Sequence, residues 1–236
     1  MSFRKLMFST ICIILLISFF ILMIDSAGNI SVKTSTNSVS NNLTVVIDPG
    51  HGGEDGGAVN SDGVLEKDIN LDISLKTADL LNFLGFNVVM TRTDDTALSD
   101  DEQTVHARKV ADINNRLKIF NSDENNVVIS IHQNKFEQSQ YHGTQVFYSP
   151  NKEDSCVLAE SIKYAVKKLI QPDNERECKK SDSGIYLLKH ATVPAIIVEC
   201  GFISNSEECA NLLDEIYQKQ ISYAIVSGFL DYNISK

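Results

Sequence analysis

The stretch Val-Val-Ile-Asp-Pro-Gly-His-Gly-Gly at residues 45–53 decides the fold, because an apolar strand runs directly into a glycine-rich turn that presents His51. Two further apolar runs end in a polar group in the same way, one at His132 and the other at Glu199. Ligand sites in open α/β folds lie beyond the carboxyl ends of parallel strands. If the three strands share one parallel sheet, we expect these three side chains to converge at one edge of it.

Strands and helices alternate along nearly all of the chain that follows. We predict strands at 43–47, 87–91, 127–132, 144–148, 185–188 and 195–199, and helices at 66–84, 105–120, 154–170 and 217–232. Strands joined by single helices imply parallel pairing with right-handed crossovers. We therefore expect an α/β three-layer sandwich, with a mostly parallel twisted sheet of about six strands flanked by helices.

The first 28 residues differ in character from the rest. Two basic residues precede the uncharged apolar run Leu6 to Ile24, which as a helix would approach the ~30 Å thickness of a bilayer core. We interpret 1–28 as a signal peptide or signal anchor that places the remainder outside the cytoplasmic membrane, either membrane-anchored or secreted. Residues 29–42 are rich in Ser, Thr and Asn and are interpreted as a linker to one domain at 43–236.

Charge and cysteine usage narrow the class of partner. The formal net charge of −10 argues against a nucleic-acid partner, whose phosphates require a basic surface. Four of the five cysteines follow the apolar segment, and none of them forms a CxxC pair. We expect mostly free thiols, with Cys200–Cys209 or Cys156–Cys178 as the candidate disulfides.

Glu66 opens the predicted helix after the first strand and completes a candidate metal site. Two neutral imidazoles, His51 and His132, and the Glu66 carboxylate form a ligand set typical of hydrolytic zinc, which leaves one position open for water. Zinc can lower the pKa of such a water from about 15.7 towards ~7. Glu199 would take the proton from the water and return it to the leaving nitrogen. We therefore predict one Zn²⁺ per chain, with Glu199 as the catalytic residue.

Each of the three candidate ligands also has a simpler explanation. A histidine in a turn is commonly an exposed polar residue, and Glu66 could be an ordinary carboxylate at a helix N-terminus. His132 could be a core histidine bonded to a backbone carbonyl. A phosphate-binding turn at 48–53 fails the stricter templates, because the chain has there neither GxxxxGK[ST] nor a GxGxxG that opens a helix.

Three further polar residues are candidate substrate contacts. Arg92 follows the second strand and could bind a substrate carboxylate, unless it pairs with Asp94 or Asp95. Asn134 lies two residues after the second histidine of the site and could contact substrate or orient a loop. His142 lies in a loop that could face either the cleft or solvent.

At these residues the chain resembles the zinc N-acetylmuramoyl-L-alanine amidases of the amidase-3 family. The matching segments are 45–53, 66–71, 91–92, 130–134 and 198–205. The resemblance implies that 43–236 is the catalytic domain and that it hydrolyses the amide between N-acetylmuramic acid and L-alanine in peptidoglycan. It also implies zinc ligands at His51, Glu66 and His132, with the catalytic glutamate at Glu199. The chain departs from the family pattern at Gln133, Lys135 and Cys200.

Within that family the chain is most similar to the short sporulation-type (CwlD-like) amidases. This resemblance implies removal of stem peptides before muramic-δ-lactam forms in the spore cortex, with a location in the forespore intermembrane space. The alternatives are a vegetative cell-separation or autolytic amidase, another exported zinc hydrolase such as a peptidase, and a non-catalytic peptidoglycan-binding module of the same fold. Because we recognise no wall-targeting module, we also expect an accessory protein that activates or localises the chain.

Overall fold

The computed structural model describes residues 43–99, 103–182 and 184–235. The predicted signal segment and linker at 1–42 lie outside these ranges. The described strands are β1 (Thr44–Pro49), β2 (Asn87–Met90), β3 (Asn126–Asn134), β4 (Gln145–Tyr148), β5 (Lys179–Lys180) and β6 (Ala195–Phe202). The described helices are α1 (Glu66–Phe83), α2 (Val105–Phe120), α3 (Glu153–Leu169), α4 (Tyr186–His190), α5 (Ser206–Leu213) and α6 (Glu215–Ile234). In the described part of the chain, no helix combines the length and apolarity needed to cross a membrane.

The six strands form one sheet in the order β2-β1-β3-β6-β4-β5. All neighbouring strands pair in parallel except β4, which is antiparallel to β6. The predicted α/β sandwich with a mostly parallel sheet of about six strands is confirmed. The antiparallel strand is the one departure from the crossover rule that underlies the prediction.

One predicted strand is wrong. Residues 185–188 belong mostly to the short helix α4, and the sixth strand is instead Lys179–Lys180 at the sheet edge. A short apolar run cannot be assigned to strand or helix by periodicity alone. Here Leu187 and Leu188 are buried beneath the sheet as a single helical turn. Helix α5 was not predicted, although Asn205 caps it by accepting a hydrogen bond from the Glu208 backbone N–H.

Alternation along the strands divides the core into two layers. One face of the sheet packs against α1, α3 and α6, and it carries Val45, Ile47, Ile129, Ile131, Ile196 and Val198. The opposite face packs against α2 and α4, and it carries Val46, Val128, Ala195 and Ile197. His132 and Glu199 are register partners, and Glu199 continues the alternation from Ile197 onto the second face. The polar strand ends therefore open beside α2 and α4.

Candidate metal centre

The three predicted ligands lie together at the carboxyl ends of β1 and β3 and the start of α1. His51, Glu66 and His132 each offer a ligand atom, and these atoms all lie within 4.8 Å of one another. Glu66 Oε1 is 3.0 Å from His132 Nδ1, and Glu66 Oε2 is 3.4 Å from His51 Nε2. The two imidazole rings are close to perpendicular, with centroids 5.1 Å apart. This cluster could hold a metal ion.

The turn that carries His51 has an uncommon backbone. His51 has φ 61°, and the next two residues, Gly52 and Gly53, have φ 138° and 56°. A left-handed conformation at a residue with a side chain costs roughly 1–3 kcal/mol, and such residues concentrate at functional sites. Arg116 stabilises the turn, since it donates to the carbonyl oxygens of His51 at 2.6 Å and of Pro49 at 2.8 Å.

Two glycines leave room for the ligand side chains. A Cβ atom at Gly50 would overlap the imidazole ring of His132. A Cβ atom at Gly57 would lie 2.6 Å from both Glu66 Oε2 and His51 Cδ2. The glycines of this loop therefore let the backbone approach the cluster on two sides, which a larger residue would prevent.

Glu66 is held by hydrogen bonds to both of its oxygens. Oε2 accepts from the Ala58 N–H at 2.8 Å, and Oε1 accepts from the Gln133 N–H at 3.1 Å and from Asn70 Nδ2 at 3.2 Å. The Gln133 side chain in turn donates to Asn70 Oδ1 at 3.1 Å. Such partners fix the orientation of a ligating carboxylate.

His51 is oriented from its other side by Asp55, whose Oδ2 lies 2.9 Å from Nδ1. Burial disfavours the charged imidazole, but the hydrogen bonds to Asp55 and Glu66 outweigh it and raise the pKa of His51 to about 9. Burial also disfavours the charged form of Glu66, and hydrogen bonds from His132 and His51 outweigh it and lower the pKa of Glu66. The Glu66 carboxylate is therefore in the anionic form that a metal ligand requires, whereas metal binding would have to displace a proton from His51.

Glu199 lies beside this cluster on β6, opposite His132 in the strand register. Its Oε2 atom is buried and has no hydrogen-bond partner among the described residues. Burial raises the pKa of Glu199 to about 7, although the neighbouring His132 lowers it in part. Both residues line a cleft of ≈ 320 Å³ that also includes His51 and Tyr186. A carboxyl group with these properties can take up and release a proton near neutral pH.

A match to a protein-family model identifies the family of this chain. The family model described as N-acetylmuramoyl-L-alanine amidase, Amidase_3, matches residues 45–231. The chain belongs to this amidase family. It hydrolyses the amide bond between N-acetylmuramic acid and L-alanine in peptidoglycan, as the resemblance implied. Because peptidoglycan lies outside the cytoplasmic membrane, the amidase acts outside the cytoplasm.

Three relatives place the amidase more closely. It is 32% identical over 234 residues to the germination-specific N-acetylmuramoyl-L-alanine amidase of Bacillus subtilis (strain 168), across 99% of this chain and 97% of the relative. The CwlD amidase from Clostridioides difficile, solved in complex with the GerS lipoprotein, is 42% identical with a TM-score of 0.79, across 83% of this chain and 100% of that one. An N-acetylmuramoyl-L-alanine amidase from Clostridium difficile 630 is 32% identical with a TM-score of 0.71, across 84% of this chain and 100% of that one. The resemblance to CwlD-like sporulation amidases is confirmed.

The candidate substrate contacts fall in different places. Arg92 does not reach the cleft of the amidase: it is 4% exposed, and its guanidinium donates to backbone carbonyls of Pro49, Gly50, Lys67 and Asp94. The expected substrate role of Arg92 is therefore corrected to a structural one, since a guanidinium bonded to four carbonyls is not available to a ligand. Asn134 lines a second groove beside the cleft. His142 is exposed on a loop and lines neither of them.

Two departures from the family pattern support the site. Gln133 is buried and connects Glu66 to Asn70. Lys135 donates from Nζ to the Val59 carbonyl at 2.8 Å, which ties the loop after β1 to the end of β3.

The four cysteines of the described chain are free thiols: Cys156, Cys178, Cys200 and Cys209. Neither candidate disulfide is formed.

Sequence reasoning assigned no role to Asp55, Asn70 or the buried pair Asp48 and Arg116. Asn70 follows Glu66 by one helical turn, a spacing that could have identified it. Asp48 interrupts a buried strand with a charge, which could have indicated a buried cation. Asp55 gave no comparable signal, because its contact with His51 depends on the path of the loop.

Proposed function

We propose that the amidase is zinc-dependent, that Glu199 is its general base, and that it acts in spore cortex maturation. The observation that carries the proposal is the buried, unpartnered carboxylate oxygen of Glu199 beside the cluster of His51, Glu66 and His132. An oxygen buried without a partner is costly unless it acts on a ligand or on a proton.

The chemistry of the cluster fits zinc. Two imidazoles and one carboxylate are a common ligand set of catalytic zinc, and hydrogen bonds from outside the set orient two of the three, His51 and Glu66. Glycines at 50 and 57 keep space free around the ligand atoms. When bound, zinc would lower the pKa of a water in the open position towards about 7 and polarise the scissile carbonyl.

Glu199 would carry the proton through the reaction. It accepts a proton from the attacking water, and it then donates that proton to the nitrogen of the departing L-alanine. The C–N bond breaks, the muramic acid keeps its lactyl carboxylate, and the stem peptide leaves with a free amino group. A carboxyl pKa near 7 suits both halves of this exchange.

The cortex role is supported by likeness to the germination-specific amidase and to the CwlD amidase. We propose that the amidase removes stem peptides so that a deacetylase can form muramic-δ-lactam there. An apolar segment at 6–24 would hold it at the membrane that faces the forespore intermembrane space. The similar CwlD amidase was solved with a lipoprotein, and we propose an accessory protein for this chain as well.

Product analysis tests the chemistry. Purified cortex-type peptidoglycan is digested with the zinc-supplemented amidase, with Glu199→Gln and with the exposed control Glu207→Gln, and the products are identified by mass spectrometry. We expect stem peptides that begin at L-alanine from the amidase and from Glu207→Gln, and none from a folded, zinc-loaded Glu199→Gln variant. Cuts within the stem would instead indicate a peptidase, and no products from the zinc-loaded amidase would indicate a missing accessory protein or a binding module.

The cortex role needs a separate test. Spore cortex from a strain that lacks this chain should contain no muramic-δ-lactam, and the wild-type chain, but not Glu199→Gln, should restore it. Normal lactam content together with chained vegetative cells would favour the cell-separation alternative.

A further inference from the structure

A second groove adjoins the catalytic cleft, and it has no part in the proton transfer or metal binding proposed for that cleft. Its volume is ≈ 350 Å³, and we call it the cationic groove. Its principal side chains are Asn134, Tyr141, Phe147, Arg176, Lys179 and Phe202. It combines aromatic rings with two cations, both of them on the segment between α3 and α4.

The sheet register connects this groove to Glu199. Glu199 and Ile197 of β6 pair with Gln145 and Phe147 of β4, and Phe147 pairs with Lys179 of β5. Register partners point to the same face of a sheet, so these side chains follow one another across it. β5 is two strand spacings from β6, at about 4.8 Å each, so Lys179 lies on a strand roughly 10 Å from the strand that carries Glu199. The cationic groove is therefore a lateral continuation of the catalytic cleft towards the sheet edge.

The two cations of the groove have no carboxylate partner among the described residues. The Arg176 guanidinium lies 4.6 Å from the ring centroid of Phe202 and donates to the His142 carbonyl, while Lys179 Nζ lies 5.9 Å from the ring centroid of Phe147. Neither of these cations is among the ion pairs of the described chain.

The acidic groups near these cations have other partners. The Glu208 carboxylate interacts electrostatically with Arg176, but it accepts its hydrogen bonds from the backbone N–H groups of Gly143 and Phe202. Glu175 pairs with Lys167 at 2.6 Å, and Glu177 pairs with Lys163 at 3.2 Å. Both of these lysines belong to α3. In a chain with a formal net charge of −10, two cations without carboxylate partners in one groove form a local site for an anion.

The substrate carries anionic groups at a distance from its scissile amide that matches the distance between the cationic groove and Glu199. The stem peptide begins at L-alanine, and its following residues carry free carboxylates, whereas the glycan strand of N-acetylated sugars is neutral. At about 3.3–3.6 Å per extended residue, the second and third stem residues lie roughly 7–11 Å from the scissile amide. We propose that Arg176 and Lys179 bind these stem carboxylates, and so direct the peptide arm of the substrate along β4 and β5. This inference rests on the amidase activity and names the substrate feature that the site selects.

Lys180 supplies a matched control. It is exposed like Lys179 and adjacent to it, but its register partner is Tyr148, which packs on the opposite, α3 side of the sheet. Loss of either lysine changes the net charge by the same amount. If the cationic groove binds the stem peptide, only the loss of Lys179 should weaken the affinity for that peptide.

The test measures binding apart from hydrolysis. Calorimetry on the full-length, zinc-loaded Glu199→Gln chain gives the Kd of a soluble disaccharide–tetrapeptide from peptidoglycan, and of the same fragment with its stem carboxylates converted to amides. We expect the acidic fragment to bind about three- to tenfold more tightly than the amidated one. Adding Lys179→Gln should remove most of this difference, and Lys180→Gln should leave it intact. Arg176→Lys, which keeps the charge, should retain more of the preference than Arg176→Gln.

Equal effects of Lys179→Gln and Lys180→Gln would overturn the inference, as would equal binding of the two fragments or no binding of either. The same substitutions in the active chain provide the kinetic counterpart: Lys179→Gln should raise KM for the acidic fragment and leave kcat close to its original value. Failure of the amidase assignment would appear differently, as an absence of released stem peptides from a chain that still prefers the acidic fragment.

Discussion

Arg116 Nη1 lies 2.5 Å from Asp48 Oδ1, and the two side chains are 2% and 0% exposed. The hydroxyls of Thr91 and Ser130 also donate to the Asp48 carboxylate, each at 2.6 Å. Because Arg116 also binds the carbonyl of His51, this buried ion pair lies directly below the turn that carries a metal ligand. The ion pair therefore connects the buried core of the sheet to the turn that carries His51.

Replacing Arg116 by Met should lower the free energy of unfolding by about 3–5 kcal/mol, since the buried Asp48 carboxylate would lose its cation. Urea unfolding followed by circular dichroism measures this loss. The control is Arg108→Met on the same helix, where the ion pair with the more exposed Glu54 should contribute about 0–1 kcal/mol. Equal losses from the two substitutions would show that the buried ion pair contributes no more to the free energy of unfolding than the exposed one.

The same pair predicts how stability depends on pH. Burial alone would raise the pKa of Asp48, but Arg116 and the hydroxyls of Ser130 and Thr91 outweigh it and lower this pKa in the folded state. A lowered folded-state pKa stabilises above the unfolded value of about 3.9, and the contribution is lost as pH falls through the folded value. The unfolding free energies of the wild type and of Asp48→Asn should therefore differ most at neutral pH and converge below about pH 4. A difference that stays constant down to pH 2 would contradict the assignment.

The parts of the site that the sequence predicted share one property: they lie where a regular element ends. His51 follows β1 by two residues, and His132 and Glu199 lie within the last four residues of β3 and β6. Glu66 begins α1, so the topology alone brings all four side chains to one edge of the sheet. The α/β class followed from the same alternation of strands and helices.

The rest depended on contacts that local patterns do not encode. Asp55 reaches His51 only because of the loop path, and Arg116 reaches Asp48 across 68 positions of sequence. Arg92 looked available from its position after β2, but the loop carbonyls around it leave its guanidinium no access to the cleft. Helix α4 and strand β5 are too short for periodicity to distinguish them.

Asp55→Ala should weaken zinc binding by about 10- to 100-fold without unfolding the domain, because His51 would lose the group that orients its ring. Competition with a chelator of known zinc affinity measures this change. Asp62→Ala, at an exposed position in the same loop, is the control and should bind zinc like the wild type. Unchanged affinity in Asp55→Ala would mean that the two other ligands and the backbone suffice to place the ring.

Two glycines of one loop separate backbone strain from crowding of the metal centre. Gly57 and Gly63 have φ of 68° and 83°, so an alanine at either position should cost roughly 1–2 kcal/mol of unfolding free energy. At Gly63 the added Cβ would meet nothing within 4 Å, whereas at Gly57 it would lie 2.6 Å from atoms of Glu66 and His51. We therefore expect Gly63→Ala to bind zinc normally and Gly57→Ala to bind it at least tenfold more weakly, a change of about 1.4 kcal/mol. Chelator competition and urea unfolding on both variants make the comparison. Equal zinc affinities would mean that the ligand side chains can move aside, and that the loop glycine is required only for its backbone conformation.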